Sequence, residues 1–242
     1  MSAVAVAALI VAVLIGASAQ RATGIGFNLV VAPVAALALP THDVVGTVVR
    51  LALVVDILVI VADRKAINWH QVWHYGWPAA VAVPFAWLVG RAVDPALLIA
   101  VTTLATLLAA AILARPSRWT RPGERAERIS GNVAGFFSGF LGVSTGLAGP
   151  PLALHTSISS QPLASNRSTM AMFFAIVEFT AVLIHRQATG PALTAVLVGF
   201  VLLGMLTGGL LIGRVREHRL RRAVLVLVTL SALAALGGVI FG

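Results

Sequence analysis

Apolar residues run along this chain in long blocks, and the polar residues fall in the gaps between them. The blocks neither alternate with period two, as strands with one buried face do, nor keep one polar stripe, as surface helices do. Sequence that is apolar all round and about 20 residues long predicts a helix crossing a bilayer. Ten such segments can be marked. The first half holds Ala3 to Ala19, Phe27 to Leu39, His42 to Ala62, a Trp-rich stretch continuing to Gly90, and Pro95 to Ala114. The second holds Ile129 to Gly142, Pro150 to about Ser160, Leu163 to Ile184, Pro191 to Ile212, and Leu220 to Phe241. The second and seventh are too short to cross an apolar core of about 30 Å at about 1.5 Å per residue.

Each short segment follows a glycine-bearing break. One is Ala22-Thr23-Gly24-Ile25-Gly26-Phe27-Asn28; the other is Ser144-Thr145-Gly146-Leu147-Ala148-Gly149-Pro150-Pro151. They match at an offset of 122 residues, the step from Thr23 to Thr145. At that offset Gly24 meets Gly146, Pro40 meets Pro162, Thr47 meets Thr169, Asp56 meets Glu178 and Arg64 meets Arg186; one residue later Gly90-Arg91 meets Gly213-Arg214. The acidic pair weighs most, because each member interrupts an apolar run. The pattern predicts two copies of one five-segment unit.

Composition turns the pattern into a class. Apolar residues make up 59% of the chain and charged residues 10%, too little polar surface for a water-soluble domain of this length. Pro78, Pro84, Pro150 and Pro151 inside or opening the segments argue against a lipid-facing barrel. The expected fold is an all-α polytopic membrane protein. The net charge of +9 sits largely in two Arg-rich loops, Arg115 to Arg128 and Arg214 to Arg222. Such loops are what the positive-inside rule produces, so no nucleic-acid partner is read from them. The chain has no cysteine, which excludes disulfides and thiolate chemistry. Its first twenty residues lack a basic start and read as a retained helix. If both basic loops face the cytoplasm, an even number of crossings separates them, so each half crosses an odd number of times. The halves are then inverted repeats, residues 1–114 and 129–242, joined by a basic cytoplasmic linker at 115–128. A bacterial inner-membrane location is expected, with the lipid bilayer as partner and room for a homodimer.

The breaks suggest what the protein handles. A helix start offers unpaired N–H groups and about half a positive charge, and two such starts could face each other near the midplane. Gly24, Gly26, Gly146 and Gly149 allow close backbone approach, while Thr23, Ser144, Thr145 and Asn28 add side-chain donors. A small anion is the ligand these parts fit. Arg167, near the start of its segment, is the expected counter-charge, with Arg50 as rival. Asp56 and Glu178 are the expected coupling groups. An ionised carboxylate inside the membrane is costly, so each is expected to bind and release a proton or to pair with a cation such as Arg50. His155 lies inside the seventh segment and is either a further proton carrier or a hydrogen-bonded packing residue. His70 and His74 could grip a metal, but they lie among Trp69, Trp73, Tyr75 and Trp77, where interfacial anchoring explains them. No metal or cofactor is expected.

The run from Gly139 through Ser144-Thr145-Gly146 to Gly149-Pro150-Pro151, followed by Arg167-Ser168-Thr169, resembles the sulfite exporter TauE/SafE family of bacterial anion transporters. The first half departs from that pattern: Phe27-Asn28 stands where the second has Gly149-Pro150, and Val45 stands opposite Arg167. The resemblance implies transport of sulfur-containing oxyanions or organosulfonates. Two other classes compete. Gly142-Val143-Ser144-Thr145-Gly146 also fits the nucleophile-elbow spacing, which with His155 would make an intramembrane serine hydrolase, although that elbow needs a strand before it. An anion channel is the other.

Overall fold

A computed structural model describes residues 2–93, 97, 104, 107, 123–158, 163–212 and 226. The predicted segments at 95–114 and 220–241, and most of both Arg-rich loops, lie outside these residues. Among the described residues eight α-helices and one short 3-10 turn occur, and no strand. The helices are α1 (Ala3–Thr23), α2 (Phe27–Ala38), α3 (Thr41–Asp63), α4 (Trp69–Ala92), α5 (Glu124–Thr145), α6 (Gly149–Ile158), α7 (Leu163–Ile184) and α8 (Pro191–Leu211); the 3-10 turn is Arg64–Ala66. Among these α1, α3, α7 and α8 are long and apolar enough to cross a membrane. Large apolar side chains such as Val4, Val61, Phe85, Phe179 and Leu206 point outward, a cost in water that lipid removes.

Helix boundaries follow local chemistry. Ser2 caps α1 by accepting the Ala5 N–H, and Asn68 caps α4 by accepting that of Gln71. The helix α1 continues four residues past its predicted end, and α5 begins at Glu124, inside the predicted basic linker. Acidic Glu124 and Glu127 occupy the first turn of α5, where the helix dipole favours them. Pro78 and Pro84 are accommodated within one continuous helical assignment for α4. The aromatic belt is smaller than predicted. Trp69, Trp73 and Trp77 are exposed, but Tyr75 is 2% exposed and stands edge-on to His155 and Phe173.

Packing exchanges partners between the two halves. Helix α1 lies on α8, and α5 lies on α4; α3 lies on α7; α8 also touches α3, as α4 touches α7. One apolar core accordingly joins α1, α2 and α3 with α8, and a second joins α5, α6 and α7 with α4. Glycines set the distances. A Cβ at Gly139 would come 2.6 Å from that of Ala79, and one at Gly204 would come 2.7 Å from that of Ala17, so both interfaces need a small residue. The glycines of α5 therefore bring α4 close. Positions 122 apart also make matching bonds. Thr47 Oγ1 accepts the Thr189 N–H at 3.0 Å, and Thr169 Oγ1 accepts the Asn68 N–H at 2.9 Å. Arg21 meets Asp63, and at the corresponding positions His185 Nε2 lies 2.7 Å from the Val143 carbonyl oxygen. His185 is thus engaged.

Candidate functional site

Both breaks are real interruptions. Helix α1 ends on Gly24 at φ +84°, Gly26 stands at φ +135°, and α5 ends on Gly146 at φ +76°. Only glycine adopts such angles without strain, and no other residue type among those described does so. A left-handed residue at a helix end turns the chain sharply, so α2 and α6 start beside the helices that precede them.

The first break carries a buried polar network. Gln20, on the last turns of α1, accepts the Phe27 N–H through Oε1 at 3.0 Å. Its amide nitrogen donates to Asp56 Oδ1. Asn28, one residue into α2, donates from Nδ2 to Glu178 Oε1 at 2.9 Å. Asp56 on α3 and Glu178 on α7 lie within electrostatic reach of each other. They are 0% and 1% exposed. Two buried carboxylates in reach of each other repel when both are ionised. The remaining oxygens, Asp56 Oδ2 and Glu178 Oε2, meet no N–H or hydroxyl donor, nor does Asn28 Oδ1. A small cavity with room for about one water lies against Gln20, Gly26, Asn28, Gly149 and Glu178.

A second polar group caps this break. The guanidiniums of Arg21 and Arg167 both meet Asp63 Oδ2; Arg167 does so through Nη2 at 2.8 Å and Nε at 2.9 Å. Arg167 belongs at the break because Gly24 lets it in: a Cβ on Gly24 would sit 2.8 Å from the Arg167 Cα.

The predicted residues therefore separate. Gly26, Asn28, Gly149 and Glu178 share one cavity, with Asp56 behind it, and Gly24 abuts Arg167. Gly146 instead faces Val45, Val48 and Val49 of α3. The hydroxyls of Thr23, Ser144 and Thr145 donate to backbone carbonyls of Ala19 or Ile25, Phe140 and Leu141. The N–H of Phe27, one of the helix-start donors proposed for an anion, is taken by Gln20. Arg50 holds the carbonyls of Gly46, Arg186 and Gln187 and does not pair Asp56. His155 lies elsewhere, with Nδ1 3.0 Å from Ser130 Oγ. The nucleophile-elbow geometry is not formed: a helix rather than a strand leads into Ser144, and the ring of His155 is engaged by Ser130.

Sequence reasoning missed Gln20, Arg21 and Asp63. A signal existed for the first, since glutamine in the last turns of an apolar helix is costly without a partner. Arg21 stands at the start of the first break and Asp63 in the charged run that ends the third segment, and only the fold shows that they meet.

No curated protein and no solved structure matches this chain. The family model described as Sulfite exporter TauE/SafE matches residues 8–235, nearly its whole length. With its broken helices, its long apolar spans and this match, the chain belongs to the sulfite exporter TauE/SafE family.

Proposed function

We propose that this chain is a secondary transporter that moves a small sulfur-containing oxyanion or organosulfonate across a bacterial inner membrane, driven by a proton gradient. The family supports the substrate class. The observation that carries the coupling is the buried carboxyl pair Asp56–Glu178, one member from each half, tied by Gln20 and Asn28 to the first break. Ionising both would set two like charges against each other, which is costly in an apolar interior. That repulsion would act directly between α3 and α7 and on the start of α2. Proton release and movement at the break are thereby linked. The cavity there is smaller than a sulfur oxyanion, so this reading also requires the break to open before substrate fits. The matching contacts of the two halves favour two repeats related by an approximate two-fold axis, the arrangement in which alternating access proceeds by rocking one unit against another.

The test uses proteoliposomes with an imposed pH gradient and a panel of sulfite, thiosulfate, sulfate, sulfoacetate and taurine. Uphill accumulation of a panel anion that collapses with the gradient is expected. Flux that only runs downhill would make the protein a channel. For orientation, single cysteines at positions 121 and 216 should label from the same side, and the absence of native cysteine keeps that background clean. Labelling from opposite sides would end the inverted-repeat reading.

A further inference from the structure

Asp63 stands between two arginines from two other helices. Arg21 closes α1 and Arg167 opens α7, and both guanidiniums converge on one oxygen, Oδ2. Two cations against one anion leave the cluster one charge positive, and Arg64 and Lys65 follow Asp63 directly. The side chains of Arg21, Asp63 and Arg167 are 15%, 19% and 9% exposed, so the cluster is reachable from outside while its partners are held in place. It borders the first break, where Arg167 lies against Gly24.

The fold does not need this triad to close the corner. At the corresponding positions of the second half, the same junction is made by His185 and the Val143 carbonyl oxygen, and Val45 stands opposite Arg167. One contact to a backbone carbonyl therefore holds that corner of the fold. Two convergent guanidiniums are instead the donor set that recognises a small oxyanion, because each fork presents parallel N–H groups to neighbouring oxygens. A carboxylate is the side chain that imitates such an anion.

We propose that Arg21 and Arg167 form an oxyanion site at the first break and that Asp63 fills it as an intramolecular stand-in, to be displaced by the substrate's sulfonate or sulfite group. This rests on the transport reading for the identity of the anion, but the site itself is a property of the two arginines. Its occupied state keeps both guanidiniums paired with an anion while no substrate is present. It also makes substrate binding and release of the α3 end one event, since the anion can take the guanidiniums only when Asp63 leaves them.

Purified full-length protein in detergent, titrated calorimetrically with sulfoacetate and with sulfite, tests this. Asp63→Ala vacates the site, and Asp63→Asn keeps its size and removes its charge. If the carboxylate occupies the arginines at least nine-tenths of the time, either variant should bind at least about tenfold tighter than the parent. Adding Arg21→Gln or Arg167→Gln to Asp63→Ala should erase that gain. Unchanged or weaker binding in both Asp63 variants, no oxyanion binding to Asp63→Ala, or failure of both to fold would make Asp63 a structural tie and overturn the proposal. The two readings fail separately. If the parent moves no panel anion but Asp63→Ala binds sulfoacetate through both arginines, the transport reading falls and the site stands. If the parent transports and the Asp63 variants bind no tighter, the reverse holds.

Discussion

The two breaks are alike in backbone and unlike in chemistry. Each ends a helix on a left-handed glycine, at Gly24 and Gly146, and each starts a short helix of twelve or ten residues. Around the first gather Gln20, Asn28, Asp56, Glu178, Arg21, Asp63 and Arg167. At the positions 122 residues away from Gln20, Arg21 and Asn28 stand Gly142, Val143 and Pro150, and the neighbours of Gly146 are valines. Glu178 belongs to the second half in sequence but serves the first break in space, because α7 lies along α3. The two breaks thus share a backbone shape, while the ionisable groups named here gather at the first. A symmetric pair of sites facing each other is not what these side chains build.

The largest effect that would break this contrast comes from the carboxyl pair. Glu178→Gln should retain anion binding and abolish accumulation under a pH gradient, leaving downhill flux only. If the two carboxyls titrate as one unit, Asp56→Asn should reproduce the defect, and the double variant should be no worse than either single. Parent-like accumulation by Glu178→Gln would show the pair to be structural and would remove the main chemical distinction between the breaks.

The glycines test the shared part. Either alanine variant must hold a left-handed angle, which costs about 1–2 kcal/mol. Gly146→Ala meets only ordinary contacts, the nearest being Val49 at 3.5 Å, so its loss should stay near that range. Gly24→Ala also drives a methyl to within 2.8 Å of the Arg167 backbone, and its loss should reach about 2–4 kcal/mol. Denaturation in detergent measures both. Equal losses would mean that Arg167 is not held against the break as closely as the structure places it.

How much of this was legible in the sequence follows from which forces act locally. The apolar blocks and the glycine breaks could be read because length, hydrophobicity and left-handed backbone are local properties. The grouping of Asp56 with Glu178 was half-readable: both were picked out by their cost in an apolar run, but their contact depends on how α3 meets α7. The alternative of a pairing with Arg50 fails because that side chain folds back onto carbonyls at Gly46, Arg186 and Gln187. Hydroxyls beside a break looked like ligand donors, yet a Ser or Thr near a helix end has a carbonyl four residues back within easier reach.

A smaller effect should come from the amides. Asn28→Ala removes the donor to Glu178 Oε1, and Gln20→Ala removes both the donor to Asp56 Oδ1 and the acceptor of the Phe27 N–H. Each leaves a buried polar group without its partner, at about 1–3 kcal/mol in unfolding. Pro150→Ala, at the position matching Asn28, should change far less, since proline contributes no side-chain hydrogen bond. Comparable losses at positions 28 and 150 would mean that the polar network does not distinguish the first break.

The smallest effect should come from Ser144, and it separates transport from catalysis. Its Oγ donates to the Phe140 carbonyl 2.7 Å away, within its own helix. That carbonyl lies four residues back and, in α5, can also be served by the backbone. Removing the hydroxyl therefore strands little, and the stability change should fall within about 0.5 kcal/mol. A nucleophile would behave otherwise, because deleting it removes the reaction while leaving the fold intact. Ser144→Ala should hold flux within about twofold of the parent, as a residue outside the polar network would. If accumulation instead disappears while binding and unfolding stay parent-like, the second break carries chemistry of its own, and the asymmetry drawn between the two breaks is wrong.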